Sequence, residues 1–209
     1  MEIKTSLLGK KCWYVSCGGS AGYSFELSLG RKFPRPRPLK NPSCPEEFRQ
    51  YEPEIGLLVW CSWTLRDARG HLTGSDDETD GLEKGLRRLV HRLVRSVEIG
   101  TTNWYLRLGF SGGLDLYVFP DHVGPAASFD GNWEVWRPTD AYLIGTDLSC
   151  EVIERDYPLV EPGEQAGDEK TAGRQGSNGT AKVIRQSPRV VRFRKMRSAT
   201  SRKQEAPRR

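Results

Sequence analysis

The stretch between residues 93 and 136 constrains the fold of this chain more than any other. It reads LVRSVEIGTTNWYLRLGFSGGLDLYVFPDHVGPAASFDGNWEVW. Apolar residues alternate with polar or small ones over 104–108 and again over 114–119, a period of two that is typical of half-buried β-strands. Ser111-Gly112-Gly113 separates the two runs and supplies the glycines that a tight turn needs for positive φ angles. We therefore predict a β-hairpin followed by a returning strand.

The first third of the chain predicts three more strands. Residues 12–16 and 23–29 alternate in hydrophobicity and flank the glycine-rich segment 18–22. A phosphate-binding glycine loop requires a helix directly behind it, whereas the next segment here, YSFELSLG, alternates like a strand. We interpret 18–22 as a hairpin turn. Residues 55–65 carry apolar side chains in both alternating sets, which is typical of a strand buried on both faces.

A proline-rich segment, PRPRPLKNPSCP, occupies residues 34–45. Each proline fixes φ and lacks an amide donor, so the segment excludes a helix or a central strand. We predict a loop that crosses the surface. A docking site for a proline-reading partner would have the same composition and is the alternative.

The clearest helical pattern lies at about residues 80–95. Six apolar residues recur at helical spacing and form one stripe: Leu82, Leu86, Leu89, Val90, Leu93 and Val94. The acidic run SDDETD at 75–80 lies at the positive end of the predicted helix, with Asp80 as its predicted N-cap. This run lacks the ligand spacing of an EF-hand, and His91 has no partner ligand at i+4. The segment therefore predicts a helix without a metal site.

Short segments on either side of this helix resemble one another. The matching segments are 24–30 with 104–109, 63–66 with 133–136, and 71–76 with 142–147. We predict two related β units, at about 7–76 and 96–150, that lie side by side in one sheet or pack face to face. The alternative is a chance likeness between short strand-and-turn segments. The repeated tryptophans, Trp63 and Trp133, are predicted to be core anchors.

Charge divides the chain into two parts. Residues 161–209 hold 13 Lys or Arg against 5 Asp or Glu, a charge of +8, which leaves −3 of the net +5 for residues 1–160. The polar, glycine-rich composition that follows residue 160 offers almost no apolar surface to offset the entropy of ordering. We predict a β-rich globular domain at 1–158 and a disordered linker with a basic tail at 159–209.

The tail predicts one candidate binding segment. Guanidinium groups pair with phosphate, and an interleaved aromatic side chain can stack on a base. Such a segment would bind RNA, DNA or an anionic membrane surface without sequence specificity. The residues concerned are Arg185, Arg189, Arg192, Phe193, Arg194, Lys195 and Arg197. A solvated tail that binds nothing is the alternative.

Five cysteines without a CxxC pair predict free thiols and a reducing compartment. The N-terminal residues MEIKTSLLGKK lack the apolar core of a secretory signal, and no apolar run approaches the ~18 residues of a membrane span. We therefore expect a soluble protein in the cytoplasm.

The sequence contains no P-loop, nucleophile elbow, HExxH motif or dinucleotide fingerprint. Asp121 and His122, with Asp115 and Asp130 nearby, are the one acid/base set that could support phosphodiester hydrolysis. Asp115 lies on a predicted strand, however, while the Asp121-His122 pair precedes Pro125 in a predicted loop, so a polar loop is the simpler interpretation. We predict a protein that is not an enzyme and that has no cofactor and no metal.

One run of residues resembles a known type of family. The pattern L-x-L-x-F-x-x-G-L-x-L-x-V-F is formed, with one extra residue in the turn, by Leu106, Leu108, Phe110, Gly113, Leu114, Leu116, Val118 and Phe119. With the following Asn132-Trp133 pair, residues 55–150 are similar to small uncharacterised bacterial domains found among immunity-like proteins of toxin systems. The resemblance implies an α+β fold and a binding role without a cofactor, and it carries over no catalytic residue. The proline-rich segment and the basic tail depart from the compact form of those domains.

Together these features predict an α+β protein, mostly antiparallel β, with one amphipathic helix and a disordered tail. The predicted function is non-enzymatic, immunity-like binding of a protein through a mildly acidic surface that suits a basic partner. The residues predicted for that surface are Asp76, Asp77, Glu78, Asp80, Trp60 and Trp136. The alternative is a nucleic-acid-associated protein that binds RNA or DNA through its tail.

Overall fold

The computed structural model describes residues 2–17, 22–121 and 131–155 and the backbone of 190–192. The helices are α1 (Glu2–Leu7), α2 (Glu46–Gln50) and α3 (Thr79–Leu86). The strands are β1 (Cys12–Cys17), β2 (Phe25–Pro34), β3 (Tyr51–Val59), β4 (Ser62–Asp67), β5 (Gly70–Gly74), β6 (Val94–Ile99), β7 (Leu106–Phe110), β8 (Leu114–Phe119), β9 (Gly131–Trp136), β10 (Asp140–Gly145), β11 (Cys150–Glu154) and β12 (Val190–Arg192).

The strands form two antiparallel sheets that pack against each other. The seven-stranded sheet has the order β1-β2-β3-β9-β10-β11-β12, and the five-stranded sheet has the order β5-β4-β8-β7-β6. Buried side chains of both sheets belong to one hydrophobic core. Phe25 of β2 and Trp63 of β4 meet in that core, edge to face, with ring centroids 4.9 Å apart. The prediction of a mostly antiparallel, β-rich α+β protein is confirmed.

The two halves of the chain follow the same path in space. In the first half, β1, β2 and β3 form a meander in the seven-stranded sheet, and the chain then crosses to form β4 and β5 in the other sheet. In the second half, β6, β7 and β8 form the meander of the five-stranded sheet, and the chain crosses back to form β9 and β10. Each half therefore contributes strands to both sheets. The halves are neither side by side in one sheet nor two separate sheets packed face to face, which were the two predicted arrangements.

Equivalent tryptophans occupy equivalent sites in the two halves. The indole Nε1 of Trp63 donates to the carbonyl of Tyr23 (2.8 Å), and that of Trp133 donates to the carbonyl of Trp104 (2.9 Å). Both accepting residues lie two positions before the second strand of a meander, so Phe25 corresponds in space to Leu106. The sequence match of 24–30 with 104–109 places Leu27, instead of Phe25, opposite Leu106. It is therefore wrong by two residues, and a shift of two keeps the same side chains on the same face of the strand.

The predicted helix at 80–95 is too long. Helix α3 ends at Leu86, a 3-10 turn follows at Arg87–Leu89, and Val94 already belongs to β6. The helix stops because the backbone pairs with β1 instead: His91, at φ 70°, donates its N–H to the Cys12 carbonyl (2.7 Å). The apolar stripe is buried as predicted at Leu82, Leu86, Leu89 and Val94, although Val94 reaches the core from a strand.

The predicted N-cap of this helix is also wrong. Glu78 occupies the N-cap position without a side-chain cap hydrogen bond, and Asp80 lies in the first helical turn. Helix α3 contacts β1 and β5, the edge strands of the two sheets, and α1 contacts β6, the opposite edge of the five-stranded sheet. The two helices therefore lie at opposite edges of the five-stranded sheet, each just before the first strand of its own half.

The remaining segments add to the seven-stranded sheet. The proline-rich segment leads to α2, whose Phe48 stacks on Tyr14 of β1 with ring centroids 4.5 Å apart. In the predicted disordered tail, Val190–Arg192 forms a strand antiparallel to β11, and the other tail residues lie outside the described part of the chain. No helix in the described ranges is long and apolar enough to cross a membrane.

The paired tryptophans predict matched effects on stability. We expect Trp63→Phe and Trp133→Phe each to lower the free energy of unfolding by about 2 kcal/mol, because each removes an indole donor from a backbone carbonyl and loses part of a buried ring. Trp136→Phe is the control, since this half-buried ring makes no indole hydrogen bond in the described residues, and we expect it to cost less than about 1 kcal/mol. Urea unfolding measures all three, and equal losses in the three variants would contradict the role of the two core indoles.

Candidate functional site

The outer face of the five-stranded sheet carries an exposed row of aromatic and cationic side chains. Because Leu116 and Val118 of β8 are buried in the core, the alternating residues Tyr117 and Phe119 point outward. The neighbouring strands β4 and β7 place Arg66 and Arg107 beside them, in the register given by the β4–β8 and β7–β8 pairs. We call these four outward residues, Arg66, Arg107, Tyr117 and Phe119, the aromatic face.

Stacking orders the aromatic face. The rings of Tyr117 and Phe119 are nearly parallel, at 3° and a centroid separation of 6.3 Å. The guanidinium carbons of Arg66 and Arg107 lie 5.6 Å and 5.4 Å from the Tyr117 centroid. Phe119 remains 44% exposed, which makes it one of the few large apolar side chains at the described surface. An exposed ring fixed in a rigid sheet is a typical contact group of a binding surface.

A cleft of about 280 Å³ opens beside Phe119. One wall is formed by β4, through Ser62, Thr64 and Arg66, and the other by the β5–α3 turn, through Asp76. The cleft therefore has an aromatic ring, a cation and a carboxylate around one concave space.

The predicted acidic residues lie in the turn that borders this cleft. Asp77 accepts hydrogen bonds from His71 Nε2 (2.8 Å) and from the backbone N–H of Gly74 (2.8 Å). Desolvation acts to raise the pKa of Asp77, but these hydrogen bonds outweigh it and hold the pKa below its ordinary value. Asp76, Glu78 and Asp80 are exposed and form no ion pair within the described ranges. Asp77 therefore stabilises the turn, while its neighbours remain available.

Thr64, His71 and Asp77 form a hydrogen-bonded series of the kind found in catalytic relays. His71 Nδ1 lies 3.0 Å from Thr64 Oγ1, and its Nε2 binds the Asp77 carboxylate. Both His71 and Asp77 are more than one-third exposed, at 51% and 38% of the side chain. The nearby N–H of Gly74 donates to Asp77 and is therefore not free to act as an oxyanion donor. We interpret the series as a clamp on the β5–α3 turn.

The predicted tryptophans lie elsewhere. Trp136 is on β9, on the outer side of the seven-stranded sheet, where its indole covers Gly56 and lies under the guanidinium of Arg155 (5.4 Å). The half-buried Trp60 packs directly against Gly131, next to the same sheet. Because the two sheets face each other through the core, Trp136 points away from the acidic turn. The structure does not bring the predicted acidic and aromatic residues into one surface.

Two carboxyl groups on the outer side of the seven-stranded sheet were not identified from the sequence. Burial raises the pKa of both Glu26 on β2 and Glu134 on β9. Leu58 of β3 stands between them in the cross-strand row, and Glu134 is bound by Arg155 Nη2 at 2.8 Å. The two groups therefore lie on either side of Leu58 and do not converge on a common reacting point, and of the two only Glu134 forms an ion pair within the described residues.

Asp121, one of the candidate hydrolase residues, is held in place by hydrogen bonds to neighbouring strands. The backbone N–H and carbonyl of Asp121 are bound by the buried side chain of Asn132, whose Nδ2 also donates to the Gly145 carbonyl (2.8 Å). The Asp121 carboxylate accepts a hydrogen bond from the Ser62 hydroxyl (3.3 Å). His122 and Asp130 lie outside the described residues. The Asn132-Trp133 pair thus fixes three strand ends and a core ring.

The other predicted site residues fall on the tail. Of these, only Arg192 belongs to a described element, as the last residue of β12, opposite Glu151 in register. The remaining tail candidates lie outside the described part of the chain: Arg185, Arg189, Phe193, Arg194, Lys195 and Arg197. Within the described ranges no three His, Cys, Asp or Glu side chains lie close enough to hold a metal ion.

The hydrogen bonds of Asn132 predict that its substitution lowers the stability of the protein. Asn132→Ala removes three hydrogen bonds to backbone groups of Asp121 and Gly145 and leaves them unpaired, so we expect a loss of about 3 kcal/mol in the free energy of unfolding. Asn103→Ala is the control, since the exposed Asn103 accepts a single bond, from Tyr105 N at 3.3 Å. Chemical denaturation compares them, and similar small losses would show that Asn132 is dispensable.

Asp77 predicts a pH-dependent contribution to stability. Because its pKa is lowered in the folded state, its stabilising effect is present above the unfolded value of about 3.9 and is lost as the pH falls through the lowered value. We expect wild type to melt above Asp77→Asn at pH 5–7 and the difference to close below about pH 4. Asp76→Asn, which removes an unpaired carboxylate, serves as the control. A constant difference across the pH range would contradict the assignment.

Comparison with protein-family models, with curated proteins and with solved structures finds no match to this chain. The geometry of the aromatic face, the adjoining cleft and the acidic turn is therefore the basis for a functional assignment.

Proposed function

We propose that this protein is a non-enzymatic protein-binding module that engages its partner through the aromatic face. The observation that carries the proposal is the exposed ring of Phe119 on an antiparallel sheet. This ring stacks on Tyr117, and two arginines lie over the Tyr117 ring. Tyr, Phe and Arg are enriched at the centres of protein interfaces, where a few such residues contribute most of the binding energy.

The corresponding surface of the other sheet supports this choice of face. On the seven-stranded sheet, Tyr14 is covered by Phe48 of the segment between β2 and β3, and Trp136 is covered by Arg155. On the five-stranded sheet the equivalent connection between β7 and β8 is the short turn Ser111–Gly113, which is too short to reach over the face. Within the described residues, the outer face of the seven-stranded sheet is covered in part by a neighbouring segment of the chain, whereas Phe119 on the equivalent face is 44% exposed.

Charge favours a protein over a nucleic acid at this face. Arg107 is engaged by Asp115 Oδ1 (3.1 Å) and lies 3.8 Å from Glu98 Oε2, so its guanidinium is already compensated. Asp76 lines the adjoining cleft and would repel a phosphate group. An aromatic centre with mixed charges at its rim is the composition of a protein interface.

Immunity-like binding of a toxin is the specific form of this function that the resemblance of residues 55–150 suggests. A cytoplasmic location belongs to the same proposal, and it is supported by the five cysteines, all in the described residues, none of which forms a disulfide there. Burial raises the pKa of Cys12 and Cys61 to about 12, so these thiols stay protonated and unreactive at neutral pH. The alternative proposal, nucleic-acid binding through the tail, makes no use of the aromatic face.

The test is capture of binding partners by full-length protein and by its Phe119→Ala variant, from a lysate divided into a nuclease-treated and an untreated portion. We expect a stoichiometric protein partner whose affinity falls at least about tenfold in the variant, as for a central interface residue. Leu8→Ala is the control, because Leu8 is 52% exposed near α1, away from the aromatic face. Nucleic acid retained in a salt-dependent manner and unaffected by Phe119→Ala would refute the proposal and favour the tail.

A further inference from the structure

Outward-facing rings of this protein are repeatedly covered by the chain's own cations. The pairs are Arg35 over Phe48 (5.4 Å) and Arg155 over Trp136 (5.4 Å), besides the two arginines at Tyr117. Phe119 continues the row that begins with Tyr117, yet among the described residues no cation lies over its ring. One ring of the type that this protein elsewhere pairs with a cation is therefore open to solvent.

The cleft beside that ring holds one exposed carboxylate, Asp76, together with Arg66 and His71. Asp76 forms part of the cleft wall, and Glu78 and Asp80 follow it in the β5–α3 segment, all three exposed and without an ion pair in the described residues. The cation of the cleft, Arg66, directs its guanidinium over Tyr117. A positive group that entered the cleft would meet an aromatic ring on one side and an unpaired carboxylate on the other.

We infer that the cleft binds an arginine or lysine side chain of the partner protein. The methylene stem packs against Phe119, and the cationic head lies between that ring and Asp76. The cleft volume of about 280 Å³ equals about nine water molecules at ~30 Å³ each, which is enough for one long side chain. This inference rests on the proposed function and adds to it the chemistry of the residue that the partner contributes.

Other occupants fit the cleft less well. A carboxylate or phosphate would be placed against Asp76, with a single arginine to offset the repulsion. An aliphatic side chain would bury Asp76 without a partner, and a desolvated carboxylate costs free energy. A guanidinium or ammonium on an apolar stem satisfies both the ring and the carboxylate, because long basic side chains combine an apolar body with a charged end.

The inference is tested on full-length protein by two-dimensional NMR titration with acetyl-Gly-Arg-Gly-amide. The comparison peptide has citrulline in place of arginine, which keeps the shape of the side chain and removes the charge. We expect saturable shifts at the amides around Phe119 and Asp76, with a Kd on the order of 10 mM, and binding of the citrulline peptide about fivefold weaker. Equal binding of the two peptides, or shifts confined to other regions, would overturn the inference.

Two variants locate the binding site. Phe119→Ala and Asp76→Asn each remove one predicted contact, and we expect about threefold to fivefold weaker binding of the arginine peptide in each. Leu8→Ala and Glu154→Gln are the matched controls, since they remove an exposed apolar side chain and an exposed carboxylate away from the cleft. An unchanged Kd in both test variants would overturn the inference even if the peptide binds.

The outcomes separate this inference from the proposed function. A partner protein that depends on Phe119, combined with no preference for arginine over citrulline, would refute the inference and leave the function intact. Arginine-selective binding without any partner that depends on Phe119 would refute the function. Tighter peptide binding after the tail arginines are changed to glutamine would identify the chain's own tail as the occupant and overturn the role of a partner residue; the positions are Arg185, Arg189, Arg192, Arg194 and Arg197.

Discussion

Two cross-strand pairings hold the two halves of this protein together. Strand β3 pairs with β9, and β8 pairs with β4, so each meander is extended by a hairpin from the other half. At both junctions a buried tryptophan lies opposite a buried valine: Trp133 opposite Val59, and Trp63 opposite Val118. The shared core and the placement of both sheets depend on these two junctions.

The two sheets correspond in their inner residues but differ in their outer residues and in the segments added at their edges. The inner residues of the halves correspond closely, because both must fill the same core. The outer residues diverge: Leu58 on one sheet stands where Tyr117 stands on the other, in the same register relative to the paired strand. The seven-stranded sheet also gains β11, β12 and the segment with α2. In the part of the chain that the structure describes, the two sheets therefore share a core plan but differ in their outer surfaces, and the aromatic face belongs to the five-stranded sheet.

Local sequence patterns were sufficient for the elements but not for their pairing. Alternation correctly indicated β7 and β8 around the glycine turn, since side chains of a strand point to opposite sides. It could not show that β4 leaves the sheet of β3, because a crossing between layers depends on partners distant in sequence. The end of α3 has the same origin: the stop at residues 87–91 is imposed by pairing with Cys12, which no helical periodicity reveals.

The candidate site was predictable only in part, for a related reason. The acidic turn is visible as a charge cluster, whereas Phe119 ends a strand in which Tyr117 and Phe119 alternate with the apolar Leu116 and Val118, so hydrophobicity does not separate the two sets at this end. Which set faces the core is decided by Trp63 and the second sheet, so the exposed ring cannot be distinguished from a buried one by pattern alone. The interlocking of the halves also bears on synthesis of the chain. When residues up to Gly74 have left the ribosome, the β4–β5 hairpin still lacks its partner β8, and the core edge of that hairpin must stay exposed until some 45 further residues are made. Folding of this protein therefore depends on late, non-local contacts, which slow it and leave apolar surface of the nascent chain exposed in the meantime.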